Sequence, residues 1–428
     1  MDEQKVGLPL ESLERGEPST PPDKRDGGYG WVVALALMAL NAVTWGINGV
    51  YGVYISFYLQ TNHFAGGTPF TFAWIGGLSV ATAFAITPVS AALSGRISYR
   101  RQYLLAAFCA VLGQILGGLT RTYTVLALTQ GVLFGLALGL VFSPSQMLLA
   151  EWFDTRLNLA QGIFQAGSGL GGLIFAQTTR LALDKVGIRW SLIIHGLVSL
   201  VVSLLSVAAI RPGGAGAGAR QTFRWSIRIP HPLALTCLCF WGATSLMSFF
   251  ISLFTLALYA TDGLGLSQQQ GAIVQSVLAA SMLVGRPICG LVSDRYGSLN
   301  VSFLATSIAG IACLSLWLPS RSLAVLLVFA TVQGAVAGTT WSAATPLAAA
   351  VGGHQHARAT IALFWTIMAI PAVAAQPIAI ALAQFSRGSL GREGAEVYQI
   401  SIGVCGGLAL SAGVLLLGVK RCMNQSIR

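Results

Sequence analysis

The sequence predicts an all-α membrane protein with twelve transmembrane helices in two pseudo-symmetric six-helix bundles. Three observations predict it. Charge is scarce, apolar runs of about 20 residues recur twelve times, and a short loop pattern repeats at a fixed offset. Charged residues make up 9% of the 428 residues and hydrophobic ones 54%, and mean hydropathy is +0.71. An average soluble chain carries about 25% charge, so too few charges remain to keep a large soluble surface wet. The 50 glycines suit close helix packing in lipid. The net charge of +11 does not point to nucleic acid, because the basic residues are scattered singly and form no patch. The 7 cysteines mostly fall inside apolar runs and read as small packing residues, so neither metal nor cofactor is expected.

Residues 1–27 read as a disordered cytoplasmic tail. They are polar, rich in acids, contain Pro21-Pro22, and lack the basic-then-apolar pattern of a signal peptide. Spans follow at 29–54, 71–93, 102–120, 124–149, 158–178 and 189–210, which make an N-terminal bundle over 28–210. The segment 211–231 reads as a cytoplasmic linker, with GGAGAGA followed by Arg220, Arg224 and Arg228. Spans at 232–259, 270–292, 299–318, 322–349, 360–384 and 399–419 make a C-terminal bundle over 232–419, and 420–428 is a second cytoplasmic tail. These runs are too long and too poorly alternating for barrel strands.

Basic residues set the orientation. With the N-terminus inside, 17 of the 25 fall in inner segments and 7 in outer loops, and the one left over is Arg286. Both termini are therefore expected in the cytosol.

The inner loops after spans two and eight read PVSAALSGRISYRR from Pro88 and PICGLVSDRYG from Pro287. At an offset of 199, Pro88 meets Pro287, Ser94 meets Ser293, Arg96 meets Arg295, Gly135 meets Gly334 and Gly139 meets Gly338. Such a register fits two parallel repeats about an axis along the membrane normal. The glycines at 131, 135 and 139, and at 334 and 338, lie on single helix faces that allow close approach. Tight packing and flexing are both open to them.

A charge inside the bilayer marks a functional candidate. Arg286 lies eight residues before Asp294, about 12 Å from the inner end of span eight. Its guanidinium suits a substrate carboxylate, and snorkelling or pairing with Asp294 is the alternative. No carboxylate falls mid-membrane. His195 is the clear intramembrane histidine and reads first as a packing residue. Asn41, Trp45 and Asn48 share one face of span one. Ser145 in span four, Trp241 in span seven, Trp341 in span ten and Trp365 in span eleven are also deep. These side chains either line a pocket or bond between helices. Arg96 and Arg100, with Asp294 and Arg295, sit in tight turns suited to latching the inner face.

Several stretches resemble a known family. Asp26-Gly27-Gly28-Tyr29-Gly30-Trp31 resembles the segment leading into span one of the monocarboxylate porter family within the major facilitator superfamily, above all its fungal members. Trp152-Phe153-Asp154-Thr155-Arg156, continued by Leu159-Ala160, Gly162, Ala166-Gly167-Ser168 and Gly171, resembles its span-five motif. Gly285-Arg286-Pro287 to Asp294-Arg295-Tyr296-Gly297 resembles its span-eight segment. Asp26 and Arg156 thereby join the expected gating residues.

The resemblance implies the major facilitator fold, alternating access between two bundles and carriage of a small organic solute. It also shows a departure. Proton-linked lactate carriers of the family have a lysine where this chain has Gly49, and an aspartate where it has Met282. Arg286 is kept without its acidic partner, which argues against proton-coupled lactate or pyruvate transport. The expected function is secondary active export of a fungal metabolite with apolar or aromatic character across the plasma membrane. Uptake of a monocarboxylate held by Arg286 is the alternative within the class. A non-transporting nutrient sensor is the alternative outside it, disfavoured by the short tails. An enzyme is not expected, since no catalytic constellation or phosphate-binding G-x-x-x-x-G-K-[ST] loop occurs. The expected partners are the solute and the lipid bilayer. An accessory subunit or a homo-oligomer is left open.

Overall fold

The computed structural model describes residues 26–64, 66–213 and 231–425. The expected tail at 1–25, most of the linker and residues 426–428 lie outside the described residues. Within them no β-strand occurs, and 11 helices are long and apolar enough to cross a membrane.

The longest helical stretch, Leu157–Ala209, has 53 residues. As a straight rod it would measure about 80 Å, far beyond a hydrocarbon core of about 30 Å. It turns back at Gly187 (φ 73°, ψ 178°), a backbone region only glycine adopts freely. Thr179 and His195, equidistant from Gly187 in sequence, then meet at 3.2 Å. The stretch is two antiparallel spans, which makes twelve.

We number them α1 (Tyr29–Thr61), α2 (Pro69–Ser94), α3 (Tyr99–Leu119), α4 (Tyr123–Trp152), α5 (157–186), α6 (188–209), α7 (Pro232–Gly263), α8 (Gln268–Tyr296), α9 (Ser298–Trp317), α10 (Leu323–Gly353), α11 (His356–Ser389) and α12 (Gly394–Asn424). Local chemistry starts several of them. Thr68 caps α2 ahead of Pro69, Ser98 caps α3, and Ser322 caps α10. Ser267 and Gln270 form a reciprocal capping box on α8. The starts of α2 and α8, of α3 and α9, and of α5 and α11 are each separated by 199 residues, the register of the loop repeat.

Helical hydrogen bonding outruns the apolar cores read from sequence. α1 continues to Thr61, and α12 carries on into the stretch expected as a tail at 420–428. A helix needs its backbone bonds only, so polar side chains such as Gln60 and Lys420 extend it beyond the lipid. α1 widens into a π-turn at Ala42–Gly46, which carries Trp45.

The two halves meet along α5–α8 and α2–α11. Small residues carry both seams. A Cβ on Gly77 of α2 would stand 2.7 Å from the Val373 carbonyl of α11, and one on Gly169 of α5 would stand 2.8 Å from the Ala279 carbonyl of α8. Gly135 and Gly139 seat α4 on the α2 backbone, and Gly334 seats α10 on α8. The glycine ladders thus lie at close helix contacts. Large apolar side chains such as Phe108, Leu205, Ile370 and Val414 stand exposed on the outside, a surface suited to lipid and uncommon in water.

Candidate functional site

A cavity of about 620 Å³ lies between the halves. The inward stripe of α8, Gln268, Gly271, Gln275, Ala279, Met282 and Arg286, repeats every three or four residues and forms one wall. Gln165, Ser168, Gly172, Ala176 and Arg180 of α5 face it in the same rhythm. The cavity opens at Gln60, Asp184, Thr261 and Gln268, on the face opposite the one that holds the two ends of the described chain (the terminus face).

Its closed end is aromatic. Trp45 of α1 meets Trp341 of α10 edge-on at 5.3 Å between ring centroids, and Phe142 of α4 at a tilt at 5.4 Å. Phe84 of α2 and Trp365 of α11 complete the plug, 5.2 Å apart, and Phe142 meets Trp365 at 4.7 Å. Aromatic pairs at such distances are worth about 0.5–1.5 kcal/mol each beyond their burial. The plug draws side chains from both halves, so it separates the cavity from the terminus face only while the halves stay together there.

Arg286 stands at the deep end, 2% exposed. Its Nη1 donates to the Gln165 carbonyl at 2.6 Å and to Ser168 Oγ at 2.5 Å, both on α5. Its guanidinium carbon lies 5.8 Å from the Phe249 ring centre. Among the described residues no carboxylate pairs with it, and its Nε has no hydrogen-bond partner. Room for the side chain comes from Gly338, where a Cβ would stand 2.6 Å from Nε. The alternatives of snorkelling and of pairing with Asp294 are not what the structure shows. Asp294 is engaged elsewhere.

Trp45, Asn48 and Trp341 line the cavity with Arg286, and Asn48 Nδ2 donates to Ser79 Oγ at 2.6 Å. The other four expected contacts lie off its wall. Asn41 is one turn too deep on α1 and donates to Gln165 Oε1 at 3.5 Å. Ser145 is turned to Tyr103 Oη at 3.1 Å and the Val141 carbonyl. Trp241 packs on Phe364 of α11. Trp365 sits in the plug and donates to Thr345 Oγ1 at 3.3 Å. Sequence reasoning overlooked Gln165, Gln275 and Gln376, which give the wall its amide character. The 3–4 spacing of Gln268, Gly271 and Gln275 toward Arg286 was the available signal.

His195 is held on both ring nitrogens, at 2.7 Å by Tyr54 Oη and at 3.2 Å by Thr179 Oγ1. It lies outside the cavity wall, as a packing histidine would.

On the terminus face two aspartates converge on the start of α5, Asp26 from its own half and Asp294 from the other. Asp26 Oδ1 accepts from the backbone N–H of Asp154 and Arg156, and Oδ2 from the N–H and hydroxyl of Thr155, all at 2.8–3.1 Å. Burial by itself would raise the Asp26 carboxyl, but these donors outweigh it and hold the group below its ordinary value. Asp294, from the other half, accepts from Asn158 and Leu159. Arg156 takes part through its backbone N–H. Arg100 turns inward within its own half, donating to the Ile210 and Ala208 carbonyls at the end of α6, where a cation suits the helix dipole. Arg295 lies against Tyr296, and among the described residues Arg96 makes a backbone bond to Leu93. Among the described residues the cross-half hold includes Asp294, whose short side chain reaches unpaired N–H groups at the start of α5, and Ser298, whose Oγ donates to Asn158 Oδ1 at 3.0 Å.

Known proteins share this architecture. A family model described as Major Facilitator Superfamily matches residues 33–320 and 238–421. The chain is 32% identical over 385 residues to a protein of Saccharomyces cerevisiae named Probable transporter MCH2, spanning 89% of this chain and 81% of that one. It is 25% identical over 373 residues to the Agnestins efflux protein AgnL12 of Paecilomyces divaricatus, spanning 86% and 84%. The human organic anion transporter MFSD10 (TETRAN) has the same fold with a TM-score of 0.67 at 15% identity, covering 93% of this chain and 100% of that one. The proton:xylose symporter XylE has it with a TM-score of 0.66 at 13% identity, covering 91% and 95%.

Proposed function

The chain belongs to the major facilitator superfamily and is a multi-pass membrane transporter, and we propose that it exports an organic acid with a large apolar body. The observation that carries this reading is Arg286, a buried cation with no counter-ion among the described residues, at the end of a cavity of about 620 Å³ floored by Trp45 and Trp341. Cavities of about 300–1,000 Å³ suit drug-sized ligands. Arg286 takes the acid group, the indoles and Phe249 take the apolar body, and the amides of Gln165, Gln275 and Gln376 take further oxygens. Transport proceeds by rocking of the two halves about this site. The proposed opening is to the cell exterior across the plasma membrane, with both termini cytosolic, as the basic residues suggest.

Outward direction is supported by the relative named as an efflux protein, while Gly49 and Met282, at the positions where proton-linked family members carry charge, argue against proton-coupled lactate transport. The sequence motifs support placement among the fungal monocarboxylate porters.

The test uses cells lacking endogenous carriers, loaded with an aromatic acid such as 1-naphthoate. Expression should speed its export, and Arg286→Gln should cut that gain at least ~10-fold, the worth of one charged hydrogen bond. Full export by Arg286→Gln overturns the site. Net accumulation instead of loss reverses the direction and favours carboxylate uptake.

A further inference from the structure

Arg286 belongs to one half and is held by the other. Ser168 Oγ accepts from its Nη1 at 2.5 Å and itself donates to the Gln165 carbonyl at 3.1 Å, the same carbonyl that Nη1 reaches at 2.6 Å. α5 therefore offers two neutral acceptors to a cation on α8. A carboxylate grips guanidinium through two parallel N–H groups. The edge that includes Nε is packed against Gly338 of α10. The edge left for the bidentate grip is Nη1–Nη2, and Nη1 is the atom α5 holds.

We propose that an anionic group entering the cavity displaces Ser168 and Gln165 from Arg286, so that filling the cavity unfastens the midpoint of the α5–α8 seam. This rests on the reading that Arg286 binds the acid group of the solute. The bonds to Ser168 and Gln165 carry charge on the donor side only, whereas a carboxylate adds a full opposite charge and a second parallel N–H bond, so the exchange favours the anion. The release falls where the seam can move. Pro287 follows Arg286 inside α8 and removes the N–H that would bond the Leu283 carbonyl. Gly162 of α5 packs directly on the Arg286 carbonyl. Two turns further on, Asp294 holds the terminus end of the same seam. Ser168 is thus a positioning residue that acts through Arg286 and keeps the seam closed while the cavity is empty.

The experiment uses the full-length chain in lipid nanodiscs, with 1-naphthoate as probe and neutral 1-naphthamide as control. Binding is read by indole fluorescence and the seam by hydrogen exchange at 154–160 and 286–296. Naphthoate, and not naphthamide, should speed exchange in both segments. Ser168→Ala should exchange faster with no probe present and bind naphthoate roughly ten-fold tighter, because a competing acceptor is gone. Ser168→Thr keeps the hydroxyl and should behave as the original chain. A serine that merely supports the fold would give weaker or unchanged binding in Ser168→Ala. That result, with binding lost in Arg286→Gln, overturns the displacement and leaves the anion site standing. Naphthoate binding that survives Arg286→Gln, or is absent from the original chain, overturns both.

Discussion

Asp294, in the last turn of α8, caps Asn158 in the first turn of α5. Its Oδ1 accepts from the backbone and side-chain N–H groups of Asn158, and Oδ2 accepts from the Leu159 N–H, each at 2.9 Å. A helix start carries unpaired donors and a partial positive charge, so a single carboxylate from one half satisfies the start of a helix in the other. Closure of the terminus face and opening of the cavity on the far face are then one arrangement.

Asp294→Asn keeps the shape and drops the charge. The expected loss is about 1–2 kcal/mol, discounted from the range for charged hydrogen bonds because the group is half-buried. The ratio of closed to open terminus face should fall about 5- to 30-fold, seen as faster hydrogen exchange at 154–160. Unchanged exchange there would show that the cap does not hold the seam.

Asp26 should make stability depend on pH with a defined sign. Its carboxyl sits below the ordinary value of 3.8. A depressed carboxyl contributes stability that is complete above the ordinary value and is lost as pH falls through the folded one. Asp26→Asn tolerates the same positive φ of 67° and removes the charge. The melting-temperature gap between variant and original should be full at pH 7 and should close below pH 3.8. A gap that persists in acid would assign the effect to shape alone.

Two glycines of α10 should separate function from stability. A Cβ on Gly338 meets the Arg286 side chain at 2.6 Å, whereas one on Gly334 meets the Leu278 carbonyl at 2.5 Å. A side chain can swing aside and a helix backbone cannot. Gly338→Ala should impair anion binding with little change in melting temperature. Gly334→Ala should cost about 1–3 kcal/mol of stability. Equal effects on both readouts would mean that Gly338 does not seat the guanidinium.

Gly187→Ala tests the hinge between α5 and α6. No atom lies within 4 Å of a Cβ there, so only the backbone angle resists it. The cost should be about 1–3 kcal/mol, read as a lower melting temperature, with the KM for transport unchanged. A changed KM would place the hinge in the transport cycle.

The spans were readable because lipid admits only apolar, internally bonded backbone, and the hairpin at Gly187 was visible as a break between runs. Arg286 was readable for the same reason, as a charge in an apolar helix. The wall around it was less so. Asn41 and Trp45 share a face of α1, yet Trp45 ends the cavity and Asn41 is sealed below it against Gln165. Periodicity reports the direction of a side chain and leaves its depth open. Gln165 and Gln376 drew no attention because a neutral amide is tolerated almost anywhere along a buried helix.

Composition and apolar run length alone determined a twelve-span membrane protein with one intramembrane charge. Both follow from each residue's own free energy in lipid, which needs no knowledge of its neighbours. Tertiary structure decided what that charge faces. It also decided that α5 holds Arg286, that Gly338 makes room for it and that Asp294 rather than Arg100 joins the halves. Those outcomes depend on which helix faces meet and at what height, and the contacts of Arg286 with Gln165 and of Asp294 with Asn158 join residues more than a hundred positions apart.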